Sequence, residues 1–142
     1  EAFGKPIASL GKNIEVIAKA RIEIESMRRM VLTAAKAMDE LGNEAARVWV
    51  SAVKAMVPIR VCHIIDEAIQ FHGGTGVSQW TPLADMYTSQ RTLRLADGPD
   101  EVHWFVVGRA ELRRWETEGG IKYDPKASYY SEDDDSVLTA RI

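Results

Sequence analysis

Three short segments of the chain carry residues that could do chemistry. The first is Asp97-Gly98-Pro99-Asp100-Glu101-Val102-His103. A carboxylate such as Asp97 can act as a general base when burial lifts its pKa toward the working pH. The same Asp-Gly-Pro run is also a common way to begin a helix, with the Asp as N-cap. The residues alone leave both readings open. The second segment is Gln70-Phe71-His72-Gly73-Gly74-Thr75-Gly76. Two residues without Cβ atoms let a large flat or phosphorylated ligand approach the backbone closely, and their N–H groups can point at an anion. Gln70 offers a donor and an acceptor beside them. A plain helix-terminating loop would look similar, and His72 would then pack the loop. The third is Phe3-Gly4-Lys5-Pro6, where Phe3 reads equally well as a terminal core anchor.

Two further sites are weaker. Asp100 and His103 stand three apart, as in one half of a di-iron carboxylate site. His63 and His72 are preceded at that spacing by Arg60 and Ile69, not by acids, so no metal site is expected. Cys62 is the single cysteine and lies among apolar residues, which makes it a buried small hydrophobe and rules out an internal disulfide.

The elements that must position these residues are helical. Ile7, Leu10, Ile14, Ile17, Ile24, Met27, Val31, Ala34, Met38 and Leu41 recur at three-, four- or seven-residue intervals. They predict one apolar stripe on a first helix from Ile7 to Leu41, about 50 Å long at about 1.5 Å per residue. Lys12, Glu15, Lys19, Glu23 and Lys36 form its polar face, and Gly42-Asn43 ends it. A second helix from Glu44 to Phe71 is apolar around most of its circumference and reads as central, with Pro58 expected to kink it. A third runs from about Thr81 to Thr92, with Pro82 in its first turn. A fourth runs from Pro99 to about Glu116, with Asp100 and Glu101 at the positive end of its dipole. Glu101 can thus be a simple surface acid, and Arg91 a salt-bridge partner within the bundle. The expected architecture is an all-α antiparallel four-helix bundle over residues 1–118, followed by an acidic, exposed tail over 119–142.

Composition narrows the function classes. With 142 residues, a net charge of −3 and no clustered Lys or Arg, the chain does not read as a nucleic-acid binder. No apolar run approaches the roughly 20 residues of a transmembrane span, so none is expected. A reducing intracellular setting is favoured. The residues Glu1 to Pro6 do not read as a natural start, which suggests a processed chain or a fragment.

The order and spacing of the three segments in one helical chain resemble the C-terminal domain of the acyl-CoA dehydrogenases. The resemblance covers about residues 2–117. Arg91-Thr92-Leu93-Arg94-Leu95-Ala96-Asp97-Gly98-Pro99-Asp100-Glu101-Val102-His103 looks most like a branch of long-chain enzymes in that family. It implies FAD as cofactor and acyl-CoA as substrate, oxidised to trans-2-enoyl-CoA, with an electron-transfer flavoprotein as electron acceptor. It puts Asp97 in the place of the catalytic base, usually a Glu, with Gly98 against the substrate. It assigns FAD contacts to Phe3, Gln70, Gly73, Gly74, Pro99 and Glu101. The Gln70 to Gly74 loop would reach FAD held mainly by a neighbouring subunit. Pro99 and Glu101 replace the usual Thr and the usual Gln or Glu, and Leu10-Gly11 replaces a polar pair. The resemblance also implies a homodimer or homotetramer, mitochondrial or peroxisomal in a eukaryote and cytoplasmic in a bacterium. The alternatives are a non-catalytic assembly module and an acyl-CoA oxidase. The family's other domains are outside these residues, so the isolated chain is expected to be inactive.

Overall fold

A computed structural model describes residues 1–118; the acidic tail expected at 119–142 lies outside the described residues. The chain is all-α. A 3-10 turn at Ile7–Ser9 leads to α1 (Lys12–Ala45), α2 (Arg47–His72), a second 3-10 turn at Gly73–Thr75, α3 (Leu83–Thr92) and α4 (Asp100–Glu118). No strand occurs among the described residues; Ala2 and Lys5 form one isolated bridge.

α2 is the hub, packing against α1, α3 and α4. Its apolar circumference follows from that position. One helical stretch, Arg47–Thr75, is also long and apolar enough to cross a membrane, with a mean hydropathy of 1.5. The stretch packs against three other helices, which bury part of its apolar surface. The close contacts are made by small side chains: Ala46 and Ala55 are fully buried, and Ser51, Cys62 and Pro58 are nearly so. Small residues let helix backbones approach. Pro58 does not break α2, which stays helical from Arg47 to His72. The ring removes a single donor, and neighbours on several sides hold the helix through it.

α1 departs from expectation at its start and in its rotation. The first helix does not begin at Ile7, because Leu10 is extended and Gly11 takes φ 32° before Lys12. Its end is as read, with Gly42 leaving helical geometry at φ 78°. The face turned to α2 is Asn13, Val16, Ala20, Glu23, Met27, Met30, Ala34 and Ala37, an unbroken three-four alternation. Glu23, expected on the polar face, instead points to α2 and pairs with Arg60 at 2.7 Å. Ile17, Ile24, Val31 and Met38 sit one residue further on, about 100° around the helix, and remain exposed. α1 therefore has two apolar stripes. The smaller side chains make the intrachain seam, and the larger ones are left outside.

Ala55 allows a direct test of this packing. Ala55→Leu forces a branched side chain into a position with no exposed surface. It should lower unfolding stability by about 1–3 kcal/mol, measured by urea denaturation followed by far-UV circular dichroism.

Candidate functional site

The segment joining α3 to α4 is the most constrained piece of irregular backbone in the chain. The N–H groups of Leu93, Arg94, Leu95 and Ala96 donate to carbonyls of Gln90, Arg91 and Thr92, winding the end of α3 into tight turns. Asp97 and Gly98 then take φ 55° and 101°. A side chain in the left-handed region costs about 1–2 kcal/mol, and Asp is among the residues that bear it best. The turn is held from below. Asp100 N–H donates to the Arg94 carbonyl at 3.2 Å, and Arg94 Nε donates to Asp100 Oδ2 at 2.7 Å. Asp100 is nearly buried, and its carboxylate keeps the Arg94 guanidinium still more firmly protonated than usual. His103 Nε2–H donates to the Asp97 carbonyl at 3.2 Å. Lys54, from α2, donates to the carbonyls of Leu93 at 2.5 Å and Gly98 at 3.1 Å.

What this leaves free is as informative. The Asp97 carboxylate makes no hydrogen bond to the amides of α4 or to any other described residue, so the helix-cap alternative is not adopted. Asp97 is exposed, and its backbone N–H and that of Gly98 have no acceptor among the described residues. Three buried polar atoms beneath the turn also lack partners: Arg91 Nη1, Asp100 Oδ1 and His103 Nδ1. Arg91 makes no salt bridge among the described residues; the ion pair expected of it is made by Arg94. The metal half-site does not form, since Asp100 is held by Arg94 and His103 turns to the Asp97 carbonyl. Pro99 and Glu101 are exposed at the start of α4, and the Pro99 carbonyl accepts the Val102 N–H at 3.0 Å.

The other two segments are surface turns. Phe3 and Gly4 both have positive φ, at 53° and 70°, in a turn closed by paired bonds between Ala2 and Lys5. The Phe3 ring is 94% exposed, so it anchors no core. Gln70, Gly73 and Gly74 are exposed at the end of α2. Nothing lies within 4 Å of where a Cβ on Gly73 or Gly74 would stand, and Gly73 needs its φ of 55° to close the helix. His72 plays the loop-packing part, with Nδ1 2.8 Å from the Ala68 carbonyl. Lys54, by the Asp97 turn, and Gln70 are sixteen residues apart on α2, about 24 Å at about 1.5 Å per residue. Within one chain, the Asp97 turn and the glycine loop thus lie at different levels of the same helix.

Sequence reasoning missed Lys54, the Arg94–Asp100 pair, His103 and Gly76. The three side chains act across 6 to 44 residues of sequence, and no local pattern marks them. Gly76 is buried, and a Cβ there would fall 2.5 Å from the Ile69 carbonyl oxygen. Its signal was present as the last glycine of the loop. Cys62 is buried as expected, and burial pushes its thiol pKa up, against the opposing pull of the Arg94 and Arg91 charges.

Comparison with known proteins gives a consistent result. The sequence profile described as "Acyl-CoA dehydrogenase, C-terminal domain" matches residues 1–112. Acyl-CoA dehydrogenase family member 11 of Rattus norvegicus is 51% identical over 113 residues, 80% of this chain and 14% of that protein. A Mycobacterium tuberculosis protein named as an acyl-CoA dehydrogenase is 47% identical over 80% of this chain and 28% of its own length. A solved structure from Mycobacterium abscessus, assigned to the acyl-CoA dehydrogenases, superposes with a TM-score of 0.78 at 50% identity, covering 81% of this chain and 28% of that one. The chain thus spans under a third of the length of these relatives.

Gly76→Ala places a methyl group against backbone that cannot move away. Destabilisation of about 1–3 kcal/mol is expected, read as a lower midpoint in denaturant, whereas Gly74→Ala, in open space, should shift it far less.

Proposed function

Since the chain belongs to the acyl-CoA dehydrogenase family, as its C-terminal domain, we propose that it supplies the base and part of the flavin cradle for α,β-dehydrogenation of an acyl-CoA. The observation that carries this reading is the Asp97 turn. It presents, on one exposed residue, a carboxylate and an N–H that are both without a partner among the described residues. A carboxylate removes the α-proton of a thioester, and the N–H of Asp97 donates a hydrogen bond to the thioester oxygen as negative charge grows there. Gly98 carries no side chain, so the acyl chain can approach beside it. A bound FAD would supply the acceptor for the β-hydride. The residues that would hold it are Phe3, through its ring, and Gln70, Gly73 and Gly74, through amide and open backbone. Glu101 would add an acceptor, and Pro99 only an apolar contact, having neither N–H nor hydroxyl. The separation of the two halves along α2 supports a cofactor shared between protomers, with the glycine loop serving a neighbour. Reoxidation would fall to an electron-transfer flavoprotein.

Replacing the base gives the sharpest check. In the flavin-loaded enzyme containing this domain, Asp97→Asn should lower kcat by at least about a hundredfold with flavin content unchanged, followed by dye reduction with a long-chain acyl-CoA. Full activity in that variant would remove Asp97 from the role.

A role in assembly is favoured by a separate observation. Ile17, Ile24, Val31 and Met38 repeat every seven residues on the outer face of α1, all exposed. A stripe of that spacing suits a partner helix, and the proposed partner is a second copy. Val31→Glu should shift the protein to a smaller species in light scattering, while the wild type stays dimeric or tetrameric.

A further inference from the structure

From the hydrogen bonds around the Asp97 turn, we infer that Lys54 is a positioning residue that sets the conformation of the proposed base from α2. The inference rests on the reading of Asp97 as that base. Lys54 is half-buried and forms no ion pair among the described residues. Its ammonium is committed to two backbone carbonyls, Leu93 at 2.5 Å and Gly98 at 3.1 Å. These bracket Asp97, one at the C-terminus of α3 and the other on the residue after the base.

The bond to Leu93 has an ordinary purpose, because a cation at the C-terminus of a helix meets unpaired carbonyls and a favourable dipole. The bond to Gly98 does not follow from that. The Gly98 carbonyl belongs to no helix end of α3, and the peptide it heads leads into Pro99, which offers no N–H. With His103 on the Asp97 carbonyl at 3.2 Å, it fixes two successive carbonyls on the C-terminal side of the base. On the other side, Ala96 N–H is held by the Thr92 carbonyl at 3.0 Å. Rotating Asp97 out of φ 55° would pull its own carbonyl from His103 and the next one from Lys54. The same rotation would swing the Asp97 N–H, the one proposed to meet the thioester oxygen. A single ammonium therefore couples helix packing to the aim of both the carboxylate and the amide.

The test uses the flavin-loaded enzyme and compares Lys54→Met, Lys54→Arg and Asp97→Asn. Lys54→Met should lower kcat by on the order of ten- to a hundredfold, with KM for acyl-CoA and flavin content within about twofold of wild type. The kinetic isotope effect with α-deuterated acyl-CoA should rise, because a misaimed base makes proton removal rate-limiting. Lys54→Arg, which keeps the charge and the donors, should restore most of the rate. A Lys54→Met enzyme with unaltered kcat and isotope effect overturns the inference while leaving Asp97 in place. A variant that loses flavin and melts early, with no rescue by arginine, also overturns it, as a packing role only. Full activity in Asp97→Asn instead removes the base itself, a failure visible in a different variant.

Discussion

The architecture depends on α2 having neighbours on several sides at once. Most of its circumference is apolar, so an isolated α2 would have no face to give to water. Within the chain it has three partners, and the buried positions are mostly alanine, serine, cysteine and proline, with Ile65 of α2 and Met27 of α1 the larger side chains among them. Small residues give close backbone approach and little apolar area. No large side chain among the described residues is fully buried. The domain gains its stability from the length of its helices and the closeness of their packing, and not from a thick central core.

That economy has a consequence at the surface. Large apolar residues that would fill a core elsewhere stand outside here, on α1 and on α4 at Val102, Phe105 and Leu112. Single exposed apolar residues are ordinary, but a continuous stripe at heptad spacing is not. The chain spans a minor fraction of its relatives' length. A second copy is proposed to cover the stripe on α1, and it would bury area that one chain leaves open.

The Asp97 turn shows how a weakly stabilised loop can hold a strained conformation. Two successive residues with positive φ would relax if nothing opposed them. Here three side chains from three elements oppose it: Lys54 from α2, Arg94 from the end of α3 and His103 from α4. Gly98 contributes by lacking a side chain, since a Cβ would stand 3.3 Å from the His103 ring nitrogen. The strain is local and its supports are distant, so the turn is only as well defined as the packing of α2, α3 and α4 around it.

Sequence by itself determined the helices and the loops between them. Gly42 ends α1, Gly73 ends α2 and Pro99 precedes α4, because positive φ and a missing N–H act on the residue that has them. It also placed Asp97, Gly73 and Gly74 on turns, with Gln70 at the last turn of α2, whereas the exposure of Phe3, which could equally have anchored a core, was settled by the structure. It could not tell which of the two stripes on α1 would face α2. Hydropathy favours Ile17, Ile24, Val31 and Met38, yet close packing prefers Ala20, Ala34 and Ala37, and that choice is made between helices. Nor could it choose between cap and free carboxylate for Asp97, since both begin with the same three residues. Tertiary structure decided that when Lys54 and His103 took the carbonyls on either side of the Asp97–Gly98 step and left the side chain and N–H unpaired. Contacts 6 to 44 residues apart in the chain leave no local periodicity, because they arise only once the helices carrying them have packed.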